Sequence, residues 1–73
     1  MYLTAIVQQG GDGFVSWCPE LDIASQGDTV EGATNNLQGA AELFLESADS
    51  AEVASRLKRT VIITHIEARI RAT

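Results

Sequence analysis

Residues 28–48 read DTVEGATNNLQGAAELFLESA, and the spacing of their apolar side chains decides the fold. Val30, Ala33, Leu37, Ala40, Ala41, Phe44 and Ala48 recur at helical steps of three and four. At about 100° per residue they share one face, which is expected to pack on a sheet. Asn35, Gln38, Glu42 and Glu46 point away from it. Asp28 or Thr29 is the expected N-cap, with Glu31 at capping-box spacing from Asp28. Gly32 and Gly39 fall seven apart on the outer face, with Leu43 near them. Each glycine costs about 1 kcal/mol relative to alanine inside a helix. A smooth, partly apolar helix back of this kind is read as a place where another chain approaches closely.

Outward from this helix, strand patterns appear on both sides. Tyr2 to Gln9 is apolar and β-branched and reads as a strand. Gly10-Gly11-Asp12-Gly13 then supplies a hairpin turn into Phe14-Val15-Ser16-Trp17-Cys18. Pro19 ends that strand, because proline cannot donate to the ladder. A brief third strand is expected around Ile23 to Gln26. Beyond the helix, Asp49 to Arg59 carries a second, short helical signal, with Glu52 in its first turn and Arg56, Lys58 and Arg59 in its last. Thr60 to Ile70 is the strongest strand pattern of the chain. Ile62, Thr64, Ile66, Ala68 and Ile70 line one face, and Val61, Ile63, His65, Glu67 and Arg69 line the other. The expected architecture is α+β, in the order β-β-β-α-β with a short additional helix: one sheet with helix on one face, a single domain over residues 1–73.

A sheet with one helical layer leaves its other face open. Strand alternation turns Phe14, Ser16 and Cys18 towards the helix and sets Val15, Trp17 and Ile63 on the open face. Such a patch is unusual for a monomer. A chain of 73 residues also has a small core, and chains below about 80 residues commonly need a disulfide, a metal or a partner. Cys18 is the single cysteine, so no internal disulfide forms, and with His65 as the lone histidine no zinc site is expected. A dimer or higher homo-oligomer is therefore expected, with Val15, Trp17, Gly32, Gly39, Leu43 and Ile63 as candidate interface residues.

Several functions are set aside on the same grounds. No apolar run exceeds three residues, and no basic segment followed by an apolar stretch opens the chain. Neither a membrane span nor a secretory signal is expected, and a cytoplasmic location is the default. The glycine cluster at 10–13 leads into a strand rather than a helix, so it is not a phosphate or dinucleotide loop, and no cofactor is expected. No serine, histidine and acid can be argued into a catalytic group, so the protein is expected not to be an enzyme. Cys18 reads as a small buried hydrophobe with an unshifted, inert thiol.

Charge is divided sharply along the chain. Residues 1–55 hold nine acids and no lysine or arginine; residues 56–73 hold Arg56, Lys58, Arg59, Arg69 and Arg71 against Glu67. An acidic body repels nucleic acid and complements basic partners. Asp12, Glu20, Asp22, Asp28, Glu31, Glu42 and Glu46 are the candidate partner-binding residues. Weak or no affinity for nucleic acid is expected.

The run from Gly13 to Glu46 resembles the HicB family of type II antitoxins. Gly13-Phe14-Val15, then Cys18-Pro19-Glu20-Leu21, then Ser25-Gln26-Gly27-Asp28-Thr29-Val30-Glu31 carry the resemblance, with Ala33, Asn36-Leu37 and Glu42-Leu43-Phe44-Leu45-Glu46 following in order. The chain departs from the family in having Asp22-Ile23-Ala24 after the leucine, and glycines at 32 and 39 where acids are common. The resemblance implies a partial ribonuclease H-like fold and an antitoxin that neutralises a small basic ribonuclease toxin, HicA, by direct contact. Many family members carry a further DNA-binding domain; none is expected here. The alternative is a stand-alone homo-oligomeric binding protein of another ligand, without a toxin partner.

Overall fold

The computed structural model describes residues 1–71; the last two residues of the expected 1–73 domain lie outside the described residues. Three strands, β1 (Ile6–Gly10), β2 (Gly13–Cys18) and β3 (Ile23–Gly27), precede helices α1 (Val30–Ser47) and α2 (Ser50–Leu57). The strands form an antiparallel meander in the order β1-β2-β3. Gly10 pairs with Gly13, so a two-residue loop joins the first hairpin. Its first residue, Gly11, has φ +60°, the positive value that a type II′ turn requires there.

The sheet lies against α1, and the alternation of β2 sorts its side chains as expected. Ser16 and Cys18 are buried under the helix, while Val15 and Trp17 stand on the opposite face. Ser16 donates its hydroxyl proton to the Ala33 carbonyl at 2.8 Å, which ties strand to helix and satisfies a buried polar group. Cys18, Leu21, Leu37 and Ala41 form the core, with Leu3, Ile23, Phe44, Leu45 and Leu57 packed around it. Of the expected apolar stripe on α1, Ala33, Leu37 and Ala41 are buried, and Ala40, Phe44 and Ala48 are half-buried. Val30, in the first turn of α1, is exposed.

Thr29 is the N-cap, its hydroxyl accepting from the Gly32 N–H at 2.9 Å. Asp28 therefore lies one residue before the cap, and the expected capping box with Glu31 does not form: Glu31 sits at the second helical position, where its carboxylate still favours the helix dipole. α2 is capped by Asp49, whose carboxylate accepts from Ala51 N–H at 3.4 Å. Arg56 anchors this short helix. Its guanidinium donates to the Leu21 carbonyl, pairs with Glu52 at 2.9 Å and lies 4.6 Å from the Phe44 ring centroid.

Two expectations require correction. The first strand begins at Ile6 rather than Tyr2; residues 1–5 run on beside the sheet without joining the ladder. The larger correction is at 60–70, which forms no strand within the single chain. The pattern there is strand-like, but a strand exists only with a ladder partner. Beyond α2 this segment meets neither sheet edge, and nearly all of it is exposed. The fourth strand of the expected order is therefore absent from the isolated fold.

Candidate functional site

The open face of the sheet is the first notable surface. The register sets Ile6 opposite Trp17 and Trp17 opposite Ala24, so these three cross the sheet in one row. Val15 stands in the next row, opposite Gln8 and Gln26. Trp17 is 43% exposed and Val15 44%. The Trp17 indole N–H donates to the Asp22 carboxylate at 3.3 Å, which orients the ring over this face. Asp22 holds a positive φ of 54°, and an aspartate tolerates that conformation better than most residues.

Not every expected interface residue joins this face. Ile63 is exposed but belongs to the unpaired 60–71 segment, so the expected trio of Val15, Trp17 and Ile63 on one sheet face is not assembled by a single chain. Gly32 is half-buried beside the Thr29 cap. Gly39 has open space around it, and Leu43 is exposed on the same outer side of α1.

The seven candidate acids separate into groups that differ in use. Asp12, in the first hairpin, and Asp28, before α1, line one cleft of about 730 Å³ at the end of the sheet that begins α1. Glu31 is on the first turn of the same helix. Glu20 and Asp22 lie in the β2–β3 turn at the other end, a full strand of about 20 Å away. Glu42 and Glu46 are exposed on the second half of α1. The expected single cluster of Asp12, Glu20, Asp22 and Asp28 around the Pro19 turn and the helix start is thus two clusters, because β2 runs between its two turns.

Glu20 is engaged inside the protein rather than offered outward. Its carboxylate accepts from the Thr4 N–H at 3.0 and 3.1 Å and from the Thr4 hydroxyl at 2.6 Å, and the Cys18 thiol donates to it at 3.6 Å. Partial burial alone would raise this carboxyl, but the Thr4 hydroxyl and N–H outweigh it and hold Glu20 below the usual carboxylate range. The Cys18 thiol is not unshifted as expected: burial pushes it up, and the neighbouring Glu20 charge adds to the rise. The thiol therefore stays protonated and is a donor, not a nucleophile.

A carboxyl whose pKa falls on folding contributes stability above its unfolded pKa, and loses it as pH drops through the folded value. Glu20→Gln should cost about 1 kcal/mol at neutral pH, since a charge-assisted bond is replaced by a neutral one. The cost should shrink at acid pH, once the pH has dropped through the lowered folded value and the wild-type carboxyl is itself protonated. Urea midpoints of the two proteins at both pH values would decide this; an equal gap at both would remove Glu20 as the acid-sensitive link.

Leu21 is the residue that the reading by pattern missed. It is fully buried in a turn, where the flanking Glu20 and Asp22 suggest a solvated loop. The signal available was an isolated large apolar residue between two turn acids. Among the described residues, no three His, Cys, Asp or Glu side chains come together as metal ligands, and no helix is long and apolar enough to cross a membrane.

A three-stranded antiparallel sheet under one long helix, with an acidic body and a basic, strand-like C-terminal segment, defines a small two-layer α+β protein. The chain is 31% identical over 68 residues to a UPF0150 protein of Helicobacter pylori, a match that spans 92% of this chain and 94% of that protein. It belongs to the UPF0150 family. No family profile matches the chain, and no solved structure does.

Proposed function

We propose that this protein is a non-catalytic, antitoxin-like binding protein of the cytoplasm that neutralises a small basic ribonuclease of the HicA type by direct contact. The observation that carries this reading is the charge division. Nine acids and no lysine or arginine occupy the first 55 residues, and Asp12, Asp22, Asp28, Glu31, Glu42 and Glu46 are all exposed. The ordered resemblance from Gly13 to Glu46 to HicB antitoxins supports the same reading, and the three-stranded sheet with helix on one face agrees with it. An acidic surface steers a basic ribonuclease to itself and competes with RNA for the same basic groups. The open sheet face, with Ile6 and Trp17 in one row and Val15 in the next, offers apolar area for such a contact.

Co-expression tests the reading. A short basic frame beside this gene should be toxic alone and tolerated when this protein is present, and the two products should co-purify. Failure to rescue or co-purify, together with retardation of nucleic acid by this protein in a gel, would overturn it in favour of the basic segment as the working surface. The exposed acids at one end allow a sharper measurement. Replacing Asp12, Asp28 and Glu31 by their amides should slow association about 10-fold at low salt. The gap should close near 0.5 M salt, where charges are screened within about 4 Å. A loss that is independent of salt would mean that these acids do not steer the encounter.

A further inference from the structure

We propose that residues 60–70 of one copy of this chain add as a fourth strand to the free β1 edge of a second copy, the two chains exchanging these segments reciprocally. The segment has the strongest strand pattern in the chain and pairs with nothing among the described residues. Ile62, Ile66 and Ile70 form its apolar row with Thr64 and Ala68, and Ile66 and Ile70 are 88% and 96% exposed. Water is a poor environment for such a row. The segment also projects from the body. The radius of gyration is 15.1 Å and the longest extent 54 Å, whereas a compact chain of this length has a radius of about 11 Å.

The receiving surface is on the page. β1 pairs with β2 only, so its outer N–H and C=O groups are unpaired by any strand among the described residues. Beside this edge runs a groove of about 470 Å³ between residues 1–5 and α1, floored by Leu3, Ala5, Cys18, Leu37, Ala41 and Leu45. The other sheet edge is a poorer acceptor, because the Asn36 side-chain amide already donates to the Gln26 carbonyl of β3 at 2.7 Å. An added strand takes its affinity from main-chain bonds and its specificity from pockets for alternate side chains. Here the apolar row fits the groove.

Charge identifies the occupant as a second copy. The segment and the residues flanking it carry Lys58, Arg59, Arg69 and Arg71, and the body that would receive them carries nine acids and no lysine or arginine before Arg56. Glu42 stands on the rim of the groove itself. The chain is thus complementary to itself, and a two-fold exchange uses each complementary pair of surfaces twice while covering the β1 edge of each copy.

Sedimentation of the full chain at about 50 µM should give twice the chain mass, a concentration at which interfaces of this class are populated. Ile66→Pro should raise the dimer dissociation constant about 100-fold, since proline removes a ladder donor and obstructs pairing. Because Ile66 is exposed in the single chain, its helical circular dichroism should persist. With mixed isotope-labelled copies, nuclear Overhauser contacts should link the Ile66 methyls of one copy to Leu37 and Ala41 of the other. A monomer at this concentration, a dimer indifferent to Ile66→Pro, or contacts from Ile66 to the groove of its own chain would each overturn the proposal. None of these outcomes bears on whether the acidic body binds a basic ribonuclease, so the two readings fail separately.

Discussion

Gly27→Ala is expected to remove a large share of the protein's stability. A Cβ at this position would lie 2.5 Å from the Ala33 nitrogen, 2.7 Å from the Gly32 carbonyl carbon and 3.0 Å from the Ala33 Cα. All three are backbone atoms of the first turns of α1, so no side chain can rotate away. The Gly27 backbone is not in the left-handed region; the requirement is steric alone. β3 and α1 touch more extensively than any other helix and strand here, and Gly27 lies directly against the helix start. Relief would require moving the helix start away from the sheet, which also breaks the Ser16 bond to Ala33. Overpacking of this kind costs about 3 kcal/mol. A domain of this size holds roughly 4–10 kcal/mol in total. Urea denaturation followed by far-UV circular dichroism should show a midpoint lowered by about a third to three quarters. A midpoint within error of wild type would mean that α1 can shift freely over β3.

Leu21→Ala is expected to be at least as damaging. Leu21 is fully buried although it sits in a turn, and it belongs to the core with Cys18, Leu37 and Ala41. Truncating a buried leucine costs about 2–5 kcal/mol, with the upper end where the site cannot collapse. This site collapses poorly. Glu20 on one side is held to Thr4, and the Leu21 carbonyl is held by Arg56. The same substitution at Leu43, which is exposed on the outer side of α1, should change stability by less than about 0.5 kcal/mol. Equal effects at the two positions would show that Leu21 does not anchor the turn.

These two residues also show what pattern can and cannot disclose. The helix was legible because Ala33, Leu37 and Ala41 repeat with its period, and the first hairpin because glycine brackets Asp12. The orientation of β2 followed from alternation, so Trp17 and Ser16 fall on opposite faces as expected. Leu21 has no period to betray it, since one residue in a turn establishes no repeat. The pairing state of 60–70 was beyond reach for a different reason: alternation says which side chains share a face, but not which backbone supplies the ladder. Among the candidate acids, residue type marked all seven alike. Only the position of Thr4 shows that the Glu20 carboxylate is occupied, and only the length of β2 shows that Asp12 and Asp22 lie at opposite ends.

The meander order of the sheet has a kinetic meaning. Each strand pairs only with its neighbour in sequence, and α1 packs on the strands that immediately precede it. Closing these contacts forms short loops, and short loops cost little chain entropy. A topology so local places the search for the native pairing among the faster ones for a β-containing domain. The hairpin at Gly11 can form while the chain is still being made, and β3 and α1 add in the order in which they are synthesised.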